Sequence, residues 1–476
     1  MKDVCFYELE NNSYKISCMG IFLQVCMPDK RPSFFNINYN KMKKLYLFIS
    51  GLIFITASAF SQVPSPAPAQ ASPVMLKGGT IHTGTGELIE NGILAFDKGK
   101  LTYVGKSEGF DRKGLIYSEI DVTGKSIYPG LIMTNSILGL TEVSSIKATN
   151  DFNETGSLNT NVRSVIAYNT DSEIIPGSRS NGILYAQVVP SGGAVGGSSS
   201  VVQLDAWNWE DAIVRADDGI HIYWPEKYRG PDPSKGETQQ QIDEKYTQTV
   251  RELEKLFQDG LAYKSVEKPG PVNLRLEALK PVLGGNSAVY LHVSKAEEIV
   301  KSVQLIEKFG VKKIVLVSTS DAYFVRDFIK SRQIPVVLRF IIRLPSRTDE
   351  DIALPYKIPA LLMQEGIEVS LAADGRFGGI SDMLNLPFAA GTAAAYGLSR
   401  EEALKMVTLN PAKVLGIHDK AGSLELGKDA SFVVSDGDLL DMKGNRVELA
   451  FISGRKIDLD NKHKRLYKKY SEKYSK

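Results

Sequence analysis

Cysteine is almost missing from this chain. Its three copies, Cys5, Cys18 and Cys26, all precede Met42, so the remainder has no thiolate for zinc or nucleophilic attack and no disulfide framework. Histidine is scarce as well, with five in 476 residues, which leaves few candidates for a multi-histidine metal centre. The apolar run Leu45–Ile55 is about half of the ~20 residues a membrane helix needs, and no stable membrane span is expected. A P-loop ending, a dinucleotide fingerprint, an internal repeat and a Ser-His-Asp constellation with supporting context are all absent. Lys and Arg (57) nearly balance Asp and Glu (55), so nucleic acid is not an expected partner.

What is present at the N-terminal end reads as targeting. Met42-Lys-Lys, the apolar run and the small residues Ala57-Ser-Ala-Phe-Ser-Gln62 have the order of a secretory signal, expected over residues 42–61 with cleavage near Ser61. Residues 1–41 then precede a signal peptide, and Met42 is the expected start. An exported, periplasmic or secreted protein is implied, without the cysteine that a lipid anchor requires at the cleavage region. Residues 62–73 are rich in Pro and Ala and read as a stiff linker. At the other end, Asn461–Lys476 carries seven Lys/Arg against one Glu with tyrosines interleaved; the basic tail 459–476 is expected to be solvated and frayed.

Residues 74–125 show short β-rich runs with glycine punctuation, and 418–458 supply matching pieces, which predicts a small β-sandwich built from both ends of the body. Between them, residues 126–417 alternate apolar runs such as Ala288-Val-Tyr-Leu-His292 and Lys312-Lys-Ile-Val-Leu-Val-Ser318 with amphipathic stretches. This is the pattern of an α/β fold with parallel strands and crossover helices. Its length fits a (β/α)8 TIM barrel, which takes about 250 residues; a doubly wound open sheet is the alternative. Ile242, Tyr246, Val250, Leu253 and Phe257 are spaced for an amphipathic helix over 238–263.

Three separated pieces carry a family resemblance. Asp121-Val-Thr-Gly-Lys-Ser-Ile-Tyr-Pro-Gly-Leu-Ile-Met-Thr-Asn-Ser-Ile-Leu-Gly-Leu140 resembles the opening barrel strand of the amidohydrolase superfamily. Leu404–Val434, with Thr-Leu-Asn-Pro-Ala and Gly-Ser-Leu-Glu-Leu-Gly-Lys-Asp-Ala, is similar to that family's C-terminal pattern. Met75–Glu87 is nearest to the imidazolonepropionase-like branch. The resemblance implies metal-dependent hydrolysis of non-peptide C–N bonds, in cyclic amides or dipeptide-like substrates, by a metal-activated water with an acid on the last strand.

On the family's pattern, however, most ligand positions are altered. Asn135 and Ile137 stand in the slots of the first-strand histidine pair, Met133 in that of the family's Asp, and Ser318 in that of the sixth-strand histidine. Isoleucine has no lone pair to offer, and an Asn oxygen is a poor substitute for imidazole. The resemblance leaves His292 on the fifth strand, Asp374 as last-strand ligand or general acid/base, and His221 in the slot of the bridging lysine. These three would meet the count for one divalent, zinc-like metal but not two. Each also has a plain structural reading: a buried histidine bonded to its neighbours, or an Asp that turns the chain before Gly375. His82, His418 and His463 are expected to be structural or solvated.

Related enzymes place a glycine-rich loop over the barrel mouth. Gly192, Gly193, Gly196 and Gly197 are accordingly expected to border a pocket, with Trp207 and Trp209 as its wall or mere packing. Two functions follow. One is a hydrolase with a reduced one-metal site. The other is a catalytically inactive pseudoenzyme that binds a small-molecule ligand, forms homo-oligomers or associates with an active amidohydrolase, with no metal at all.

Overall fold

The computed structural model describes residues 7–10, 13–16, 65–266, 270–376 and 379–475. The expected signal peptide at 42–61, its cleavage site and the three cysteines lie outside the described residues. Within residues 1–41, Tyr7–Glu10 and Ser13–Ile16 pair as an antiparallel hairpin.

From Ser65 onward the chain builds a barrel and a sheet domain. The barrel strands, in order around the barrel, are Leu131–Ser136, Ile183–Val188, Val195–Gln203, Ile213–Tyr223, Ala288–His292, Ile314–Ser318, Val336–Leu338 and Val369–Leu371. Spatial order follows chain order. A parallel bridge between Thr134 and Ala372 joins the first strand to the last, and Thr134 Oγ1 donates to the Leu371 carbonyl at 2.9 Å. Helices Gln239–Ser265, Ala296–Lys308, Arg326–Ser331 and Leu354–Gln364 lie in the crossovers. The longest begins on a full capping box at Thr238 and Gln241, which satisfies two of the amides a helix start leaves open.

One strand departs from the all-parallel expectation: Val195–Gln203 runs antiparallel to both neighbours. A parallel neighbour needs a crossover of a dozen or more residues, and only 189–194 separate the second strand from the third. Gly192 and Gly193 turn the chain there with φ of 101° and 65°, a region costly for residues with a Cβ.

The second domain is one sheet path, from Arg455–Lys456 through Val447–Ile452, Phe432–Ser435, Ser126–Pro129, Val74–His82 and Leu88–Asp97 to Lys100–Lys106. It draws strands from both ends of the body. Val74–His82 pairs with Ser118–Asp121 over its first half and with Ser126–Pro129 over its second. This split folds the sheet around a core in which Phe96, Phe432 and Phe451 meet at centroid distances of 4.8–5.5 Å.

Ser126–Pro129 feeds directly into the first barrel strand through Gly130, where a Cβ would lie 2.6 Å from Leu184. Buried Asp205 accepts from Arg179 of the barrel at 2.9 Å and from Arg455 of the sheet domain at 2.6 Å. It also takes the amide of Ala67 at 3.0 Å, so the described part of the Pro/Ala segment is docked rather than a free linker. The basic tail is likewise not frayed: Lys462–Tyr474 forms a helix capped by Asn461, with no residue of it buried. Asn461 also donates to Ser180 Oγ. His82 stacks on Tyr128 at 4.2 Å and meets Glu401 at 2.6 Å, and His418 and His463 are exposed.

Candidate functional site

The C-terminal end of the barrel strands carries two histidines side by side. Parallel register sets Tyr223 opposite His292 and His221 opposite Tyr290. The rings interleave: His221 stacks on Tyr290 at 4.5 Å and His292 on Tyr223 at 4.1 Å. His221 Nδ1 and His292 Nε2 are 2.8 Å apart, and His221 Nε2 lies 2.8 Å from Ser199 Oγ. Burial holds both imidazoles well below their ordinary pKa, with the Arg376 charge lowering His221 further, and His221, Arg339 and Arg376 lowering His292. Both rings are therefore neutral at pH 7.

The chain of hydrogen bonds continues to Asp218. Its Oδ1 accepts from Ser199 at 2.7 Å, and its Oδ2 accepts from Tyr290 at 2.6 Å and Gln187 at 2.9 Å. Burial pushes this carboxyl up, while the three donors, Tyr290 first, pull it down. Donors facing a carboxylate orient everything beyond it. Ser199 gives its single proton to Asp218 and so accepts from His221 Nε2–H. His221 Nδ1 then accepts from His292 Nε2–H, which leaves His292 Nδ1 as a bare lone pair. That atom is buried and has no partner among the described residues.

Asp374, just past the last strand, is engaged otherwise. Its Oδ2 accepts from Arg339 Nε at 3.0 Å and Nη2 at 2.9 Å, and its Oδ1 accepts the Arg376 amide at 2.9 Å. Arg376 in turn sends Nη2 to the Val189 carbonyl at 2.9 Å and Nη1 towards Asn135 Oδ1 at 3.5 Å. Asn135 sits in the left-handed region at φ 51°, which Asn tolerates better than most residues, and its amide donates to Gln187 Oε1 at 3.0 Å. Ile137 is core, its amide bonded to the Asp374 carbonyl at 3.3 Å. Ser318 ends the sixth strand, buried, with Oγ unpartnered.

These residues do not fit the divalent metal that the resemblance implies. Both nitrogens of His221 are committed within the polar chain, both oxygens of Asp374 already accept from arginine donors, and His292 Nδ1 is the one ring nitrogen of the pair without a partner among the described residues. Among the described residues no three His, Cys, Asp or Glu side chains gather in a metal-holding group. The expected set of His221, His292 and Asp374 is therefore not assembled. Arg376 is the physical reason: its guanidinium approaches Asn135 in the first-strand slot, where it would repel a second cation.

Two further expectations are corrected. Gly192, Gly193, Gly196 and Gly197 do not open onto a ligand. The faces where side chains would stand are filled by the protein: a Cβ on Gly193 would lie 2.5 Å from the Ser157 carbonyl, one on Gly197 2.5 Å from that of Val162, and one on Gly196 2.9 Å from Tyr223. Gly192 packs likewise on Asn153. Trp207 and Trp209 follow the antiparallel third strand and so lie at the far end of the barrel, where Trp207 shares a cleft with Lys100, Asp205 and Arg455. The tryptophan beside the histidines is Trp224, whose amide bonds to the His292 carbonyl at 3.1 Å.

The residues that sequence reasoning missed are Gln187, Ser199, Asp218, Tyr290, Arg339 and Arg376. The visible signal was polar residues inside otherwise apolar strands, as in Tyr-Ala-Gln-Val-Val and Asp-Gly-Ile-His-Ile. Arg339 and Arg376 follow their strands and had no such context.

The architecture is an eight-stranded barrel with a composite sheet domain and polar residues at the strand ends. Residues 288–457 match the amidohydrolase family model. Imidazolonepropionase of Shewanella baltica (strain OS185) is 42% identical over 76 residues, covering 16% of this chain and 19% of that protein. The 5-methylthioadenosine/S-adenosylhomocysteine deaminase of Teredinibacter turnerae is 32% identical over 121 residues, 21% of this chain and 27% of that protein. The matched stretches thus span about a fifth to a quarter of these curated relatives. An amidohydrolase structure from Thermotoga maritima MSB8 superposes with a TM-score of 0.70 at 24% identity, covering 81% of this chain and 99% of that one. Residues 288–457 thus match the amidohydrolase family, and the short stretches shared with curated proteins fall mostly on imidazolonepropionases.

Proposed function

We propose that this chain is a ligand-binding protein built on a hydrolase barrel, a pseudoenzyme in which the metal-centred chemistry of its relatives has been replaced by fixed protein charges. The observation that carries this reading is Arg376, whose guanidinium is held by the Val189 carbonyl and turned to Asn135. A cationic side chain there does by itself what a metal would do electrostatically, but it activates no water. The engagement of Asp374 by Arg339 and the Arg376 amide supports the same reading, because both of its oxygens already hold protein donors. A setting outside the cytoplasm belongs to the same proposal, on the expected secretory signal at 42–61, with a small molecule as ligand and a second copy or an active relative as protein partner.

Elemental analysis of the purified chain after dialysis against trace zinc and manganese tests this. Metal at well below one equivalent, unchanged by His292→Ala, is the expected result. About one metal per chain, lost in that variant, would restore the reduced-site hydrolase.

A further inference from the structure

We infer that the mouth of the barrel is a site for a small monocarboxylate, seated on Arg376 and Asn135 where the family's first-strand histidines would hold a metal. The inference rests on the metal-independent reading above and gives its ligand a chemical class.

The donors are already placed. Arg376 Nε and Asn135 Nδ2 are buried N–H groups with no hydrogen-bond partner among the described residues, although Arg376 as a residue is only half-buried. Asn135 is 1% exposed. Its Oδ1 faces Arg376 Nη1, so the unpaired amide and the guanidinium belong to one cluster. A buried donor left without an acceptor is costly, and a bound acceptor recovers that. Ser318 Oγ, at the end of the sixth strand, is a further hydroxyl without a partner among the described residues.

Charge sets the class. Arg339 already holds the Asp374 carboxylate, while the Arg376 guanidinium bonds only to the Val189 carbonyl and Asn135 Oδ1, so among the described residues its positive charge has no carboxylate paired with it. One carboxylate balances it, whereas a dianionic phosphate would overshoot and face Asp374. Asp382, which interacts electrostatically with Asp374, is a further argument against a dianion. A planar two-oxygen group also matches donors offered by a guanidinium and an amide.

The test is thermal denaturation and calorimetric titration of the full chain with acetate, acetamide and inorganic phosphate at matched ionic strength. Two variants accompany it. Arg376→Gln removes the charge. Asn135→Asp keeps a residue that accepts left-handed φ but puts a carboxylate of the protein's own beside Arg376. Acetate is expected to raise the Tm saturably, acetamide not, and both variants to weaken acetate by ~10-fold or more. Equal effects of acetamide, tighter binding of phosphate, or an acetate response that survives both variants overturns the inference. Metal content measured on the same samples separates the two levels. A metal-free chain indifferent to acetate sinks the carboxylate site alone, whereas about one tightly held metal sinks the reading beneath it.

Discussion

Arg339 grips a single oxygen of Asp374, with Nε at 3.0 Å and Nη2 at 2.9 Å from Oδ2. The last-strand acid is thus a counter-ion, oriented by one arginine through its side chain and by Arg376 through its backbone amide. Its loss is a matter of stability. Asp374→Ala removes one half of a buried pair and should lower the unfolding free energy by about 3 kcal/mol, measured by urea denaturation. A loss under about 0.5 kcal/mol would mean that the pair holds nothing together.

The two neutral histidines make a pH prediction with a definite sign. Both are held well below 6.5 in the folded chain and titrate near 6.5 when unfolded. Below that value the unfolded chain binds protons that the folded chain refuses. Stability is therefore complete above about pH 6.5 and falls towards the depressed folded values, by about 1.4 kcal/mol per pH unit for each histidine. Asp218 works the other way: its raised pKa lets the folded chain keep a proton that the unfolded chain has lost above 3.8, which adds stability on acidification. Comparing wild type with His292→Gln between about pH 7.5 and pH 5 isolates one histidine. The variant's curve should be shallower by about 1.4 kcal/mol per unit below pH 6.5; parallel curves would show that His292 is not held neutral.

Gly193→Ala meets two obstacles at once. The position has φ 65°, and the new Cβ would lie 2.5 Å from the Ser157 carbonyl and 2.6 Å from that of Gly156. Left-handed backbone and overpacking together should cost about 3 kcal/mol in a chemical denaturation series. If the substitution is neutral, the covering segment 151–163 is not pressed against this turn.

Trp207 is 67% exposed and lies at the opposite end of the barrel from His292. Trp207→Ala should change stability by no more than about 0.5 kcal/mol and leave the acetate response intact. A lost response would put the ligand in the wrong half of the barrel.

Much of the architecture was legible because it rests on apolar periodicity. The runs at Ala288–His292 and Ile314–Ser318 are buried throughout, as strands covered on both faces must be, and the glycine-punctuated ends of the body pair into one sheet. The direction of the third strand was not legible, because Gly192–Gly197 suits a loop as well as a hairpin, and register decides between them. The site was legible only through residue types with a known role. His221, His292 and Asp374 do come to the strand ends, but their partners decide what they are. Arg376 and Asn135, 241 positions apart, share no local pattern, and a guanidinium reaching across the mouth is a property of the closed barrel.

The reversed third strand also redistributes what variation in this chain can reach. In an all-parallel barrel, eight connections open on one rim, and each can be altered to reshape the ligand's surroundings. Here the hairpin at 189–194 lies against 151–163, and the connection at 204–212 emerges at the base against Arg455. Changes in that second connection would be felt as altered docking between barrel and sheet domain, so its sequence answers to assembly of the fold, while adaptation of the mouth falls to the segments after the first strand and after the fourth to eighth.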